Sequence, residues 1–246
     1  MPVEQGSEFL RYLATNGFPA GKRLPAIQDL AAELGLSGGK LREQLEVARQ
    51  MGVVEVRPKT GMRTLGYSFF PSLWTSLRFA LTLDPGEFEY FEALRNRVEA
   101  SFFHEAVRLL QPDDIRHLNE LVESAWRRLR GEPIQIPHAE HRELHLTVYS
   151  RLANPFVRGI LEAYWAAYET VGYNLYADYR FLHEVWTYHQ RMVEAIQRGE
   201  YETAHAALVE HTSLLHQRPK LARSRPPALA TASPEDSDGA RRRDIS

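Results

Sequence analysis

Four of the ten histidines have spacings that could serve metal chemistry. His141 and His145 are four residues apart, so on a helix their side chains leave the same face about one turn apart. His189 and His211 lie on two later predicted helices that meet at a turn near Gly199. If those helices lie side by side, imidazoles from three helices meet inside the bundle, as in the metal sites of helical bundles. Imidazole suits zinc, nickel, copper or iron, and we expect a divalent transition metal, zinc before nickel.

The same segment has other interpretations. A His-x-x-x-His pair alone is more often a surface feature than a metal site, and His138, three residues before His141, is an alternative ligand. Glu143 stands two positions after His141, whereas in the zinc-protease signature a glutamate follows the first histidine directly. The sequence presents no Ser-His-Asp arrangement, phosphate loop or paired-carboxylate site, so we expect a protein that is not an enzyme.

Composition narrows the class of protein. The chain has 246 residues, which suggests one or two domains. Apolar residues make up 43% and charged residues 25%, and the formal net charge is −2. This balance argues against nucleic-acid binding by bulk charge. Without cysteine there are no disulfides or cysteine-zinc sites. No apolar run is long enough to cross a membrane and no signal pattern opens the chain, so we expect a cytoplasmic protein.

Helical periodicity dominates the chain from residue 72 onward. It predicts seven helices, near 72–83, 86–110, 112–129, 138–152, 155–176, 178–198 and 201–216. Their short connections favour antiparallel neighbours. We therefore expect a linker at 67–72 and an antiparallel all-α bundle of six or seven helices at 73–217. Residues 218–246, rich in proline, serine and charge, are expected to be disordered.

Residues 1–66 have a different pattern. Three short helices are predicted, the second ended by Gly35 and the third capped by Ser37 and ended by Gly52. Two short β-type segments follow, joined by a turn at 58–61. This order predicts a winged helix-turn-helix with a small β-hairpin wing, so the whole chain is expected to be mostly α.

A helix-turn-helix places its second helix in the major groove of DNA, with the start of that helix near the base edges. Lys40 and Arg42 stand there and are the donors best placed for phosphate or guanine. The hairpin tip at 57–63 is also basic, and residues 1–70 hold nine basic and seven acidic side chains. The alternative is a small helical domain whose basic surface contacts protein.

A dense set of residues between about 8 and 65 follows one pattern: Gly21-Lys22-Arg23-Leu24-Pro25, Asp29-Leu30-Ala31, Leu36-Ser37, Leu41-Arg42-Glu43, Leu45, Gly52-Val53-Val54 and Gly61. This pattern resembles the DNA-binding head of the GntR family. The resemblance implies that seven positions face DNA: Gln28, Ser37, Gly38, Lys40, Arg42, Thr60 and Gly61. The basic hairpin adds Lys59 and Arg63. Gln28 and Gly38 stand where the family often has arginine, so we expect weaker or different base recognition.

A second pattern covers the helical region: Phe91-Glu92-Ala93-Leu94-Arg95, Glu99, His145, Ala153-Asn154-Pro155, His189, Ala195-Ile196, Gly199-Glu200, Ala204 and His211. It resembles the FCD ligand-sensing domain of FadR-subfamily GntR regulators. The resemblance implies four metal ligands, at His141, His145, His189 and His211, with His141 replacing the family's aspartate. This replacement removes one negative charge, so an open position on the metal should favour an anion.

The resemblance also implies that Arg95 faces the effector. A structural ion pair with Glu99, four residues later on the same helix, is the alternative. The aromatic stretch at 164–179 either lines the effector cavity or belongs to the core or a dimer interface.

These patterns together predict a ligand-responsive transcriptional regulator. We expect a repressor that binds a palindromic operator in double-stranded DNA as a homodimer, without contacting a membrane. Its effector would be a small organic acid of the carboxylate type, bound beside the histidine-held metal. The alternatives are a metal-free regulator that senses an acyl ligand and, less favoured, a metal-dependent hydrolase.

Overall fold

The computed structural model describes residues 6–17, 19–58, 61–173 and 178–214. The expectations for Lys59, Thr60 and the tail at 218–246 lie outside the described residues. Within the described ranges the chain forms ten helices and one two-stranded sheet, which confirms the mostly α fold. In those ranges, none of the helices combines the length and the apolarity that crossing a bilayer requires.

The helices and strands follow one another as α1 (Glu8–Thr15), α2 (Ile27–Leu34), α3 (Gly38–Gln50), β1 (Val54–Arg57), β2 (Gly61–Thr64), α4 (Phe70–Leu83), α5 (Glu87–Leu109), α6 (Pro112–Leu129), α7 (His138–Val148), α8 (Pro155–Thr170), α9 (Tyr179–Gln197) and α10 (Tyr201–Leu214). The seven helices expected after residue 72 are α4 to α10.

Three boundaries differ from the sequence expectation. Helix α4 begins at Phe70, inside the linker predicted at 67–72, because Pro71 in the first helical turn has no N–H to leave unbonded. Helix α7 ends at Val148 rather than 152, since the chain turns there to reach the cap that Asn154 provides for α8. Helix α8 ends at Thr170 rather than 176, just before Gly172 with its positive φ of 83°.

The first three helices and the hairpin form a head with its own core. Gly35 ends α2 in the left-handed conformation (φ 65°), and Ser37 caps α3 by accepting a hydrogen bond from the backbone N–H of Lys40. The strands pair antiparallel, with Val54 opposite Thr64. Apolar side chains from these elements are buried together: Phe9, Leu13, Leu24, Leu30, Ala31, Leu41, Leu45, Ala48, Val53, Val54 and Met62. This is the winged helix-turn-helix arrangement.

The remaining helices form a bundle with two apolar clusters. One cluster joins α5, α6, α7, α9 and α10 and buries Trp186, while the other joins α4, α5 and α8 around Phe88 and Trp165. Helices α9 and α10 lie against each other across the turn at Gly199. This packing brings one face of α7, α9 and α10 to the middle of the bundle.

The head is joined to the bundle by a close contact that we call the linker seat, formed by residues 67–71 and the start of α8. Phe156 of α8 meets the rings of Tyr67 and Phe69 edge-on, at centroid distances of 6.2 and 5.3 Å. At Gly159 the two backbones come so close that an added Cβ would lie 2.8 Å from the Cβ of Phe69 and 2.9 Å from the amide nitrogen of Phe70. The start of α4 therefore rests directly on α8.

Candidate metal centre and DNA-binding surface

Four histidines converge in the middle of the bundle. His141 and His145 come from α7, His189 from α9 and His211 from α10, and one ring nitrogen of each lies within 4.8 Å of the others. The Nε2 atoms of His145 and His189 are 3.0 Å apart, and the ring centroids of the four are 4.4–5.9 Å apart. We call this group the four-histidine cluster.

The donor set of the cluster fits a divalent transition metal. Nε2 of His141 is buried without a hydrogen-bond partner in the described part of the chain. A buried polar atom without a partner costs about 1–3 kcal/mol, so a ligand that engaged it would remove a real penalty. Tetrahedral zinc, with Zn–N distances of about 2.0–2.1 Å, would hold its nitrogens about 3.3 Å apart. The 3.0 Å separation of the His145 and His189 nitrogens is close to that value.

The protonation of the cluster also suits a metal. Burial lowers the pKa of His141 and of His189 well below the usual range, and the neighbouring imidazoles lower both further. Burial also lowers the pKa of His145, although Glu99 opposes this shift. These rings are therefore neutral at ordinary pH, and a neutral imidazole is the form that binds metal.

We expect the metal-free protein to lose stability as the pH falls below about 6.5, the ordinary pKa of histidine. Below that pH the histidines of the unfolded chain bind protons, whereas the buried rings of the folded chain stay neutral. Each proton bound only by the unfolded chain lowers the free energy of unfolding by up to about 1.4 kcal/mol per pH unit. Above that pH the rings are neutral in both the folded and the unfolded chain, so their titration no longer changes the free energy of unfolding. Urea unfolding at pH 7.5 and 5.5 measures the effect.

His189→Gln should reduce this pH dependence, whereas His117→Gln, at an exposed position, should leave it unchanged. Equal pH dependence in His189→Gln and the unaltered chain would contradict the assignment.

Arg95 lies beside the cluster and is only 1% exposed. Its Nη2 is 3.0 Å from Oε2 of Glu99, so the expected ion pair forms, and its Nη1 donates to Asn96 at 3.0 Å. Nε has no hydrogen-bond partner within the described ranges, and Nη2 is engaged by the ion pair with Glu99. Nε and Nη2 form one edge of the guanidinium, the kind of edge that binds a carboxylate through two parallel hydrogen bonds. Arg95 therefore keeps a buried N–H donor at Nε, and a carboxylate ligand would share Nη2 with Glu99.

Two further side chains at the cluster were not assigned a role from the sequence. The sequence predicts a partner for Glu99 only in Arg95. In the structure its other oxygen, Oε1, also lies 3.0 Å from Nδ1 of His145. The ring of Trp165 is 4.8 Å from that of His141, and its indole N–H is buried without a partner among the described residues. The signal for Trp165 was its place in the aromatic stretch, which did not distinguish it from core.

The other candidates from the bundle lie around the cluster rather than in it. His138 is not a member: its Nε2 is 3.0 Å from Glu169 and its ring stacks on Tyr168. Tyr164 and Tyr168 are buried beside the cluster, and Tyr179 is exposed. Tyr176 lies outside the described residues.

The residues predicted to face DNA lie on the surface of the head. Gln28 is exposed on α2, the start of α3 presents Ser37, Gly38, Lys40 and Arg42, and β2 carries Gly61 and Arg63. Arg42 has no ion pair in the described part of the chain, whereas Nζ of Lys40 lies 3.2 Å from Glu8 of α1. Hydrogen bonds from the Glu8 backbone, Gln44 and Lys40 lower the pKa of Glu8 to about 2. Glu8 is therefore charged and forms an exposed ion pair with Lys40.

The comparison with known families matches the FCD domain over residues 91–214. This span contains Arg95, Glu99, Trp165 and the four-histidine cluster. No curated protein matches the chain.

Several solved structures are similar to the chain, and the first of these shares its fold. GntR of Streptococcus agalactiae is 19% identical, with a TM-score of 0.64, and the match covers 85% of this chain and 95% of that one. McbR/YncC of E. coli is 21% identical, with a TM-score of 0.47 and coverage of 81% and 90%. A GntR-family regulator from Pseudomonas syringae pv. tomato is 18% identical, with a TM-score of 0.41 and coverage of 85% and 82%.

Proposed function

Because the chain belongs to the FCD-domain family and shares the fold of a GntR regulator, we propose that it is a DNA-binding repressor that senses a small organic acid beside a histidine-bound zinc ion. The family agrees with the expectation of a regulator rather than an enzyme. Assignment to the FadR subfamily stays a prediction. The observation that carries the proposal is the buried Nε of Arg95, which has no partner among the described residues and lies next to the four-histidine cluster.

The metal half of the proposal assigns the ion to His141, His145, His189 and His211. When bound, a zinc ion held by four imidazoles would supply a Lewis-acidic position for one oxygen of the effector by expanding to five ligands. Four neutral imidazoles leave its two positive charges uncompensated, since His141 stands where metal-binding members of the family carry an aspartate. The charge of the site therefore favours an anionic effector.

The effector half assigns a carboxylate to Arg95, with the indole N–H of Trp165 as a further donor. Both groups offer N–H donors that are buried and have no partner in the described part of the chain. A cleft of about 690 Å³ lies between α6 and α9, but there the indole N–H of Trp126 already donates to Gln190 at 2.8 Å. The unsatisfied donors therefore favour the interior site for the effector.

A homodimer would supply the two heads that a palindromic operator requires. Large apolar side chains are exposed where α4 leads into α5: Phe79 (66%), Leu83 (66%), Tyr90 (76%) and Leu94 (47%). A cluster of exposed large apolar residues is typical of a protein interface. We assign this face to contact with a second copy of the chain.

Helix α8 is the element that links effector to DNA. Its first turns, with Phe156 and Gly159, form the linker seat, and its middle places Tyr164 and Trp165 against Arg95 and His141. Trp165 belongs to α8, and the start of α8 contacts the linker. An effector that binds more tightly to one position of Trp165 than to another would therefore shift α8 and the linker together. Differential affinity for the two arrangements is what changes DNA occupancy.

The DNA half of the proposal is tested with Arg42→Ala. We expect weaker binding to an operator selected from random DNA, and a salt dependence lower by about one ion, because one phosphate contact contributes a slope of about 0.9. Titrations by fluorescence anisotropy at several salt concentrations measure both. Arg49→Ala is the matched control, since Arg49 lies in the last turn of α3 and is paired with Glu46 at 2.7 Å. Unchanged affinity and slope in Arg42→Ala would remove Arg42 from the interface.

The sensing half is tested on the same operator. Zinc-loaded and zinc-free protein are titrated with DNA in the presence of acetate, pyruvate, malate or citrate. At least one carboxylate should change the affinity of the zinc-loaded protein fivefold or more, the usual lower range of coupling between two sites. Identical DNA affinity under all of these conditions would contradict the sensing proposal and leave the DNA proposal intact.

A further inference from the structure

Glu99 is the buried acidic group that joins the two halves of the proposed site. It is 0% exposed, and each of its carboxylate oxygens serves a different partner. Oε1 lies 3.0 Å from Nδ1 of His145, and Oε2 lies 3.0 Å from Nη2 of Arg95. The hydroxyl of Tyr149 also donates to the backbone oxygen of Glu99 at 2.9 Å. The residue is thus held from α7 as well as from its own helix.

The position of Glu99 indicates which nitrogen of His145 carries the proton. Oε1 of Glu99 lies 3.0 Å from Nδ1 of His145, while the guanidinium of Arg95 holds the other oxygen. A carboxylate paired with a guanidinium accepts hydrogen bonds and has none to donate. His145 therefore donates from Nδ1, and its neutral ring then carries a lone pair on Nε2. That Nε2 is the atom that faces His189, at 3.0 Å.

We propose that Glu99 is the positioning residue of the four-histidine cluster, which fixes His145 in the Nδ1–H tautomer and directs its Nε2 lone pair at a divalent cation. The inference rests on the proposed metal site. A carboxylate that accepts the second N–H of a metal-bound imidazole also makes the ring a stronger donor, and losing such a partner typically lowers metal affinity 10–100-fold.

The variant Glu99→Gln tests the contribution to metal affinity. Gln keeps the size of the side chain but removes the charge and can present an N–H to His145 instead of an oxygen. We expect the dissociation constant for Zn²⁺, from competition with a chromophoric chelator, to rise about 10–100-fold. Glu92→Gln is the matched control: Glu92 lies on the same helix, is also buried, and accepts from the hydroxyl of Tyr164 at 3.0 Å rather than from a histidine. Its dissociation constant should stay within about twofold of the unaltered protein.

A second measurement needs neither a variant nor a metal. Nitrogen-15 NMR of the histidine rings in the unaltered, metal-free protein should show His145 with its proton on Nδ1. The Nε2–H tautomer would overturn the inference, even if Glu99→Gln failed to fold. Equal zinc affinity in Glu99→Gln and Glu92→Gln would overturn it alone. Absence of zinc binding by the unaltered protein would overturn both this inference and the metal half of the proposed function.

Discussion

His189→Ala is expected to reduce the zinc content of the purified protein from one ion per chain to nearly none after dialysis against a weak chelator. His189 supplies one of four donors, its ring is 1% exposed, and its Nε2 lies 3.0 Å from that of His145. Structural zinc sites use four protein ligands, and alanine offers no donor in place of the imidazole. Elemental analysis of the dialysed protein measures the loss.

The same variant should lose the stabilisation that zinc gives. A ligand that binds only the folded state at a thousand times its dissociation constant adds about 4 kcal/mol to the free energy of unfolding. We expect thermal unfolding of the unaltered protein, but not of His189→Ala, to shift upward with added zinc. His183→Ala is the control, because His183 lies on the same helix but packs against Trp126 outside the cluster. Full zinc occupancy in His189→Ala would exclude His189 as a ligand.

Gly159→Ala is expected to destabilise the protein by about 1–3 kcal/mol, the usual cost of overfilling a packed contact. The new Cβ would lie 2.8 Å from the Cβ of Phe69 and 2.9 Å from the amide nitrogen of Phe70, and these atoms cannot move without shifting the start of α4. In an open helix the same substitution stabilises by roughly 0.5–1 kcal/mol. A decrease in the free energy of unfolding would therefore indicate a closely packed linker seat, and an increase would indicate a loose one. Urea unfolding measures this free energy.

Gly39→Ala provides the opposite expectation. Gly39 is also helical, and the nearest atom to its added Cβ is Oγ of Ser37 at 3.9 Å, so this variant should be more stable than the unaltered chain. Gly159→Ala should keep its zinc while its DNA affinity changes less on addition of an effective carboxylate, because α8 no longer sits on the linker in its original position. A stabilised Gly159→Ala would show that the two backbones separate easily.

Local sequence patterns predicted the order of the helices and strands, and the histidine spacing indicated the cluster while leaving His138 as an alternative member. The spacing of His141 and His145 defines one helix face, and the turn at Gly199 brings α9 against α10, so convergence of the histidines followed from helix geometry. The start of α4 differs from the predicted linker at 67–72, because Pro71 is accommodated in the first turn of the helix.

The finer chemistry of the site could not be predicted, since it depends on contacts between distant parts of the chain. The spacing of Arg95 and Glu99 predicts their ion pair, but not that the second oxygen of Glu99 reaches His145, 46 residues away. The Nε of Arg95 is likewise left without a partner among the described residues, by packing that helical spacing does not predict. The partner of Lys40 could not be predicted either, because Glu8 lies on another helix, 32 residues earlier in the chain.

The pairing of Lys40 with Glu8 has a consequence for how such a protein would search a genome. Under the proposed function, Lys40 would give up its contact with Glu8 each time it contacts a phosphate, so that phosphate would add less to affinity than one bound by an unpaired lysine. Since hydrogen bonds hold the pKa of Glu8 at about 2, the pair is ionised at neutral pH. The head would then bind unrelated DNA less tightly than an operator that also engages Arg42 and the wing.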